Sequence, residues 1–109
     1  MDYTLVLVPP GGGEADYQVD IHNARYIPRV GEYIILPEEN ELGCVRAFRV
    51  LYVTAGFVSA NQPGSFQEAP PVVQAEFIRH PYQSKNHAAS IAMYERRGKV
   101  VADYPESGY

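Results

Sequence analysis

Apolar residues fall along the chain in short blocks that prolines and glycines separate, a distribution typical of a small β protein. Residues 2–8 are apolar on both faces, which predicts a central strand or one covered on both sides. In residues 17–22 apolar and polar side chains alternate, which predicts a strand with one solvent-facing side. The PPGGG sequence at residues 9–13 breaks regular structure between them. We therefore expect the first two strands to form a hairpin.

The segment RYIPRVGEYIIL, residues 25–36, predicts a turn that leads into a third strand. Pro28 favours an extended conformation for the residue before it, and Gly31 permits the turn. Residues 32–36 then form a short strand, which we expect to stop at Pro37.

The middle of the chain predicts two more strands on either side of a long connection. Residues 45–59 are rich in β-favouring side chains, and Gly56 within them marks a bulge or a bend. Residues 60–71 predict a loop of about a dozen residues, long for a hairpin connection. Residues 72–79 predict the fifth strand.

The hydrophobic period then changes, and the sequence NHAASIAMYERRG at residues 86–98 predicts a short helix. Asn86 or Ser84 is suited to cap its start, and Gly98 to end it. Its predicted apolar stripe is narrow and consists of Ala88, Ile91, Ala92 and Glu95. A helix this short must dock on another element to be stable. Residues 99–104 predict a last short strand.

Three of these segments, IPRVGEYIILP, FRVLYVTAGF and VVQAEFI, resemble small orphan proteins of bacterial and phage type with SH3-like barrels. In that group a P-x-V-G-[DE] turn launches a strand, as PRVGE does at residues 28–32, and two further strands follow. The resemblance covers residues 27–79. Many proteins of this group are encoded on mobile elements and have no assigned activity.

These patterns together predict a single domain over residues 1–109. It has a β core over residues 1–79 and a helical arm and tail over residues 80–109. The predicted fold class is mostly β (α+β), as a small curved antiparallel sheet or a partly open SH3-like barrel with one short C-terminal helix. A chain of 109 residues has room for one hydrophobic core.

The composition is that of a folded protein, with 46% apolar and 20% charged residues. No apolar run approaches the roughly 20 residues that a membrane span needs. The N-terminus MDYTLVLV has an acidic residue where a signal peptide has a basic one, and its apolar stretch is short. We therefore expect a cytoplasmic protein without membrane association.

Charge is unevenly distributed within the net charge of −4. Residues 1–43 hold eight acidic and two basic side chains, a balance of −6, whereas residues 44–109 hold seven basic and five acidic ones, a balance of +2. Within residues 79–99 five basic side chains stand against Glu95 alone. The chain is thus acidic at one end and basic near the other.

The sequence carries no catalytic, cofactor or metal signature, so it does not indicate an enzyme. Cys44 is the single cysteine, which excludes an intramolecular disulfide and a cysteine metal cluster. His22, His80 and His87 are too scattered to indicate a zinc site, which needs three or four convergent ligands. The acidic turn at residues 38–41 is expected to be exposed and solvated.

Arginine and tyrosine are the residue types that interfaces concentrate, and nine tyrosines are too many for this core to bury. One candidate binding surface consists of Arg25, Tyr26, Arg29, Tyr33, Arg49 and Tyr52. A candidate basic arm consists of Arg79, Tyr82, Lys85, Arg96 and Arg97. We expect a binding protein that forms a homodimer or higher homo-oligomer, with the arm of one copy on the acidic, tyrosine-bearing surface of another, or that docks on a protein partner.

Two other functions fit the same residues. The first is a small-molecule binding protein with a cleft between the sheet and the 59–71 loop, where Arg29, Tyr33, Arg49 and Tyr52 would supply the polar groups. The second is a nucleic-acid-binding barrel that uses Arg79, Lys85, Arg96 and Arg97. The acidic pI of about 5.2 makes the nucleic-acid function the less favoured of the two.

Overall fold

The computed structural model of the protein describes residues 1–105, in which five β-strands precede one α-helix. The elements are β1 (Tyr3–Val8), β2 (Tyr17–Ile21), β3 (Tyr33–Pro37), β4 (Val45–Ser59), β5 (Phe66–Phe77) and α1 (Lys85–Arg96). The predicted fold class is confirmed, because a curved sheet is followed by a single short C-terminal helix. The predicted tail lies, from residue 106 onward, outside the described residues.

The strands form one sheet in the order β2-β1-β5-β4-β3. The β1–β2, β3–β4 and β4–β5 pairs are antiparallel, as predicted for the first hairpin. The β1–β5 pair is parallel, with Thr4 opposite Val72 and Val8 opposite Glu76. The sheet is therefore mixed rather than wholly antiparallel. The period of a strand reports which face is buried and not the direction of its neighbour, so this pairing was invisible in the sequence.

The sheet curls until its two edge strands approach each other. Although β2 and β3 lie at opposite edges, Tyr17 of β2 and Leu36 of β3 line the same concavity. The result is a half-barrel whose concave face holds the core. The largest fully buried strand side chains in that core are Phe48, Phe77, Leu5 and Leu7.

Helix α1 closes the core. The Ser84 side chain accepts a hydrogen bond from the backbone N–H of His87 at 3.0 Å, so Ser84 is the N-cap. The buried residues of the helix are His87, Ile91 and Tyr94. Of the predicted stripe, Ile91 is buried, whereas Glu95 is exposed. The helix therefore packs on the core of its own chain, which agrees with the expectation that a helix this short must dock on another element. Residues 99–104 contribute only an isolated bridge between Arg79 and Asp103.

The predicted loop over residues 60–71 is wrong for its second half, because β5 begins at Phe66. Only residues 60–65 form a turn, closed by a 2.9 Å hydrogen bond from the N–H of Ala60 to the carbonyl of Ser65. Pro70 and Pro71 lie in β5 opposite residues 54–56, where the β4–β5 register shifts. The pairing of β5 with β1 begins only at Val72, so neither proline has to donate a hydrogen bond to β1. The predicted irregularity at Gly56 is confirmed by the same shift.

Candidate functional site

The predicted arginine–tyrosine surface is only partly assembled. Arg25, Tyr26 and Tyr33 line one open concavity of about 700 Å³, together with the turn before β3. The turn has the predicted form, since the N–H of Glu32 donates to the carbonyl of Arg29 at 3.0 Å and Gly31 has a φ of 89°. Arg29 is exposed and is not among the lining residues.

Arg49 is held by an internal ion pair. Its Nε and Nη2 lie 2.8 and 2.6 Å from Oε2 of Glu76, which is only 3% exposed. The other carboxylate oxygen of Glu76 accepts a hydrogen bond from the N–H of Gly11 at 2.7 Å. The hydrogen bond to Glu76 raises the pKa of Arg49. Arg49 therefore joins two strands to the glycine-rich loop and is not a free binding group, whereas Tyr52 lies farther along β4 and is exposed.

The predicted basic arm is dispersed. Arg79 donates to Asp103 and Glu95, each at 2.7 Å, and to the carbonyl of Val101 at 2.8 Å. The hydrogen bond to Asp103 raises its pKa. Tyr82 and Lys85 are exposed near the start of α1, and Arg96 and Arg97 are exposed at its end. A helix of this length separates its ends by about 17 Å, so these side chains do not form one patch.

The acidic turn binds the start of the helix. The Ser84 hydroxyl donates to Glu38 at 2.8 Å, and the N–H of Lys85 donates to Glu41 at 2.9 Å. Carboxylates at a helix N-terminus complement its dipole and its free N–H groups. The expectation that these acids are merely solvated is therefore wrong for Glu38 and Glu41.

The outer part of the β4–β5 hairpin, residues 52–71, is here called the hairpin arm. Its exposed apolar side chains include Tyr52, Phe57 and Phe66, which are 59%, 61% and 67% exposed, together with Val53 and Val58. The only Asp, Glu, Lys or Arg in this segment is Glu68. The molecule measures 50 × 29 × 27 Å. The part of β4 from Val50 onward is about 30 Å long, which accounts for the elongated shape.

The edges of the hairpin arm are open. Within residues 1–105, β4 beyond Val50 pairs with β5 alone, and residues 66–71 of β5 pair with β4 alone. Phe57 is opposite Glu68 and Ser59 is opposite Phe66, so the two phenylalanines share one face and lie diagonally across the ladder. Sequence reasoning missed this surface because two consecutive prolines favoured a loop.

A second concavity, here called the mouth, opens between the two edge strands and has a volume of about 380 Å³. The residues that line it are Tyr17, Val19, Ile21, Leu36, Pro37, Glu38, Glu39, Asn40 and Arg46. The guanidinium carbon of Arg46 lies 4.9 Å from the centre of the Tyr17 ring. The sequence could have indicated that Arg46 faces the concave side of the sheet, because Arg46 alternates along β4 in step with the core residues Phe48 and Val50.

The core also contains a histidine. His87 is fully buried and lies against the rings of Phe77 and Phe48 at centroid distances of 5.4 and 5.3 Å. Its Nε2 is 2.8 Å from the carbonyl oxygen of Ile78, a geometry that fits an N–H donor, while Nδ1 is buried without a partner. Burial lowers the pKa of His87, so the ring is neutral near pH 7.

The described residues offer no constellation for metal or thiol chemistry. No group of three or more His, Cys, Asp or Glu side chains within residues 1–105 is placed to hold a metal ion. Cys44 is half-buried, and burial followed by the nearby Glu41 raises the pKa of its thiol, which disfavours the nucleophilic thiolate.

Comparison with known proteins adds no relative. No family model matches the sequence, and neither the curated proteins nor the solved structures include a significant match. No helix among residues 1–105 has the length and apolar character that crossing a membrane requires. The function must therefore be argued from the surfaces themselves.

Proposed function

We propose that the protein is a non-enzymatic interaction protein that self-associates through its hairpin arm. The observation that carries the proposal is the open, almost uncharged edge of β4 beyond Val50, with Tyr52 and Phe57 exposed along it. The predicted homodimer is retained, but with a different contact. Arg79 of the basic arm and Arg49 of the candidate binding surface are already paired within the chain, so each side of the basic-arm contact has lost one of its arginines.

The hairpin arm has features that favour a covered state. A two-stranded hairpin alone in water is marginally stable. Long apolar edges are normally blunted by charges, and here Glu68 is the single charge over residues 52–71. An aromatic side chain has about 150–250 Å² of surface, so the three exposed rings offer on the order of 350 Å². That is a large part of the roughly 800 Å² that each partner contributes to a standard interface.

The most suitable occupant of the edge is a second copy of the same chain. Each chain has a net charge of −4, but only Glu68 of that charge lies in the hairpin arm, so two arms meet with little repulsion. Pro70 and Pro71 interrupt the β5 edge, whereas the β4 edge from Val50 to Ser59 contains no proline. Two β4 edges can pair antiparallel about a twofold axis, which is the usual symmetry of homodimers.

The mass in solution tests this function. Size-exclusion chromatography with light scattering at about 100 µM protein should give twice the chain mass of 12.2 kDa. The double variant Phe57→Glu/Phe66→Glu should give a single chain mass, because four charges in the contact repel one another. The control variant Tyr82→Glu alters an equally exposed aromatic at the start of α1 and should stay dimeric.

Ionic strength separates the hairpin-arm contact from a charge-driven one. A dimer held by apolar surface should keep its mass between 50 mM and 500 mM salt, whereas a basic arm on an acidic surface should dissociate. A wild-type mass of 12.2 kDa at 100 µM would overturn the proposal. So would a dimer that persists in the double variant while circular dichroism shows that the variant is folded.

A further inference from the structure

Two residues that line the mouth, Arg46 of β4 and Tyr17 of β2, each carry a buried polar atom that has no partner among the described residues. These atoms are Nε of Arg46 and the hydroxyl oxygen of Tyr17. No Asp or Glu within residues 1–105 lies within 4.0 Å of the Arg46 guanidinium, although the chain is acidic overall. A buried donor without an acceptor costs about 1–3 kcal/mol, so an acceptor placed beside these groups would be favourable.

The remaining lining has an apolar wall and a polar rim, which Glu38, Glu39 and Asn40 form. Val19 and Ile21 of β2 and Leu36 of β3 are half-buried and pack against the core below the opening. Glu38 of the acidic turn uses Oε1 to accept a hydrogen bond from the Ser84 hydroxyl at the start of α1. The site thus combines one guanidinium and one hydroxyl with an apolar wall and a polar rim, and a mainly apolar wall with a few polar groups is typical of small-molecule sites.

We propose that the mouth binds a small apolar carboxylate, whose carboxyl group accepts hydrogen bonds from Arg46 and Tyr17 and whose hydrocarbon part lies against Val19, Ile21 and Leu36. A guanidinium matches a carboxylate in geometry and charge. A phosphate dianion fits less well, because Glu38 and Glu39 rim the same opening. The volume of about 380 Å³ lies at the lower end of the usual range for small-molecule sites, so the ligand is short.

This site differs from the cleft that the sequence suggested between the sheet and residues 59–71. About half of that segment belongs to β5. The mouth instead lies between β2 and β3, the two edge strands of the sheet, which approach each other because the sheet curls. None of the residues in the hairpin arm lines the mouth. The ligand site and the self-association surface are therefore independent, and either one can fail without the other.

Titration with matched eight-carbon probes tests the site. Isothermal calorimetry should detect binding of octanoate at millimolar concentration, with octanol and octylamine bound at least about tenfold more weakly because they lack the anionic group. In a ¹⁵N–¹H spectrum, octanoate should shift the Nε–Hε resonance of Arg46, whereas the corresponding resonance of Arg29 should stay in place. Equal affinity for octanol and octanoate, or no octanoate binding at millimolar concentration, would overturn the proposal.

Three variants locate the binding. Arg46→Met should weaken octanoate binding at least about tenfold, and Tyr17→Phe should weaken it about threefold while keeping the ring against Phe77. The control Arg29→Met removes an exposed arginine outside the mouth and should stay within twofold of the wild type. If Arg46→Met does not fold, Arg46→Lys, which keeps the charge but loses the fork, should still weaken binding. Unchanged affinity in the folded Arg46 and Tyr17 variants would overturn the proposal.

Discussion

Arg49 and Glu76 stand directly opposite each other on β4 and β5, with the Nη2–Oε2 distance at 2.6 Å. Because Glu76 also accepts a hydrogen bond from the N–H of Gly11, one buried carboxylate connects β4 and β5 to the loop after β1. The sheet and the glycine-rich loop therefore depend on the same side chain.

Replacing this carboxylate should destabilise the fold. Glu76→Gln keeps the size of the side chain but removes the charge that Arg49 binds, so we expect the free energy of unfolding to fall by about 2–3 kcal/mol. Urea denaturation followed by circular dichroism measures the change. Asp20→Asn, an exposed carboxylate on β2, is the control and should change stability by less than about 0.5 kcal/mol. Equal stability of the two variants would contradict the structural role of Glu76.

Stability should fall as the pH decreases below about 6.5, the ordinary pKa of histidine. Burial lowers the pKa of folded His87, so the unfolded chain binds a proton at a higher pH than the folded chain. The contribution of His87 is complete above pH 6.5 and is lost as the pH falls toward its folded pKa. Urea denaturation at pH 7.5 and pH 5.5 measures this loss.

A matched variant separates His87 from the other titrating groups. His87→Gln keeps a donor for the carbonyl of Ile78 but does not titrate, so the stability difference between the two pH values should shrink. His80, whose pKa burial also lowers, retains its own contribution in that variant. If the stability of His87→Gln depended on pH as strongly as that of the wild type, burial of a neutral ring would be refuted.

The sequence suggested both Ser84 and Asn86 as the N-cap of α1, and one substitution at each position distinguishes them. Ser84→Ala removes both the hydrogen bond to the N–H of His87 and the one to Glu38, and should cost about 1–2 kcal/mol of stability. Asn86→Ala alters an exposed residue in the first turn and should be neutral within about 0.5 kcal/mol. Thermal melting of both variants gives the comparison. A larger loss of stability in Asn86→Ala than in Ser84→Ala would contradict Ser84 as the N-cap.

The turn before β3 should be sensitive to a side chain at one glycine. Gly31 has a φ of 89°, in the left-handed region, so Gly31→Ala should destabilise the protein by about 1 kcal/mol even though its Cβ would meet open space. Gly56→Ala is the matched control, since Gly56 has no positive φ and its added Cβ would make ordinary contacts. A chemical denaturation series that ranked the two in the opposite order would contradict the turn geometry.

Local features of the fold were accessible from sequence, and long-range ones were not. The β1–β2 hairpin, the turn at Gly31 and the cap at Ser84 each depend on residues close together in the chain, and all three follow from propensity and period. The parallel contact of β1 with β5 joins residues far apart, and no local pattern specifies it. The hairpin arm was hidden because Pro70 and Pro71 are strand residues only where an edge is unpaired.

In the candidate sites too, residue types could be predicted from the sequence, whereas most of their tertiary contacts could not. Arg49 and Arg79 were chosen for their residue type, but Glu76 and Asp103 neutralise them, and a sequence does not show which acid meets which base. His87 lies in the first turn of the helix, as its position in the predicted helix indicates, but only tertiary packing shows that its ring is in the core. Arg46 could have been recognised, because a charged residue at the parity of Phe48 and Val50 in a long strand predicts a guanidinium on the core side.

The parallel pairing of β1 with β5 also sets the order in which the chain can fold. The partner of Thr4 is Val72, so the sheet cannot be completed until about two thirds of the chain has left the ribosome. Until then the β1 edge of the β1–β2 hairpin stays unpaired, and Phe48, Phe77 and α1 do not yet cover its apolar face. Contacts this distant in sequence slow folding and lengthen the time during which nascent chains can aggregate.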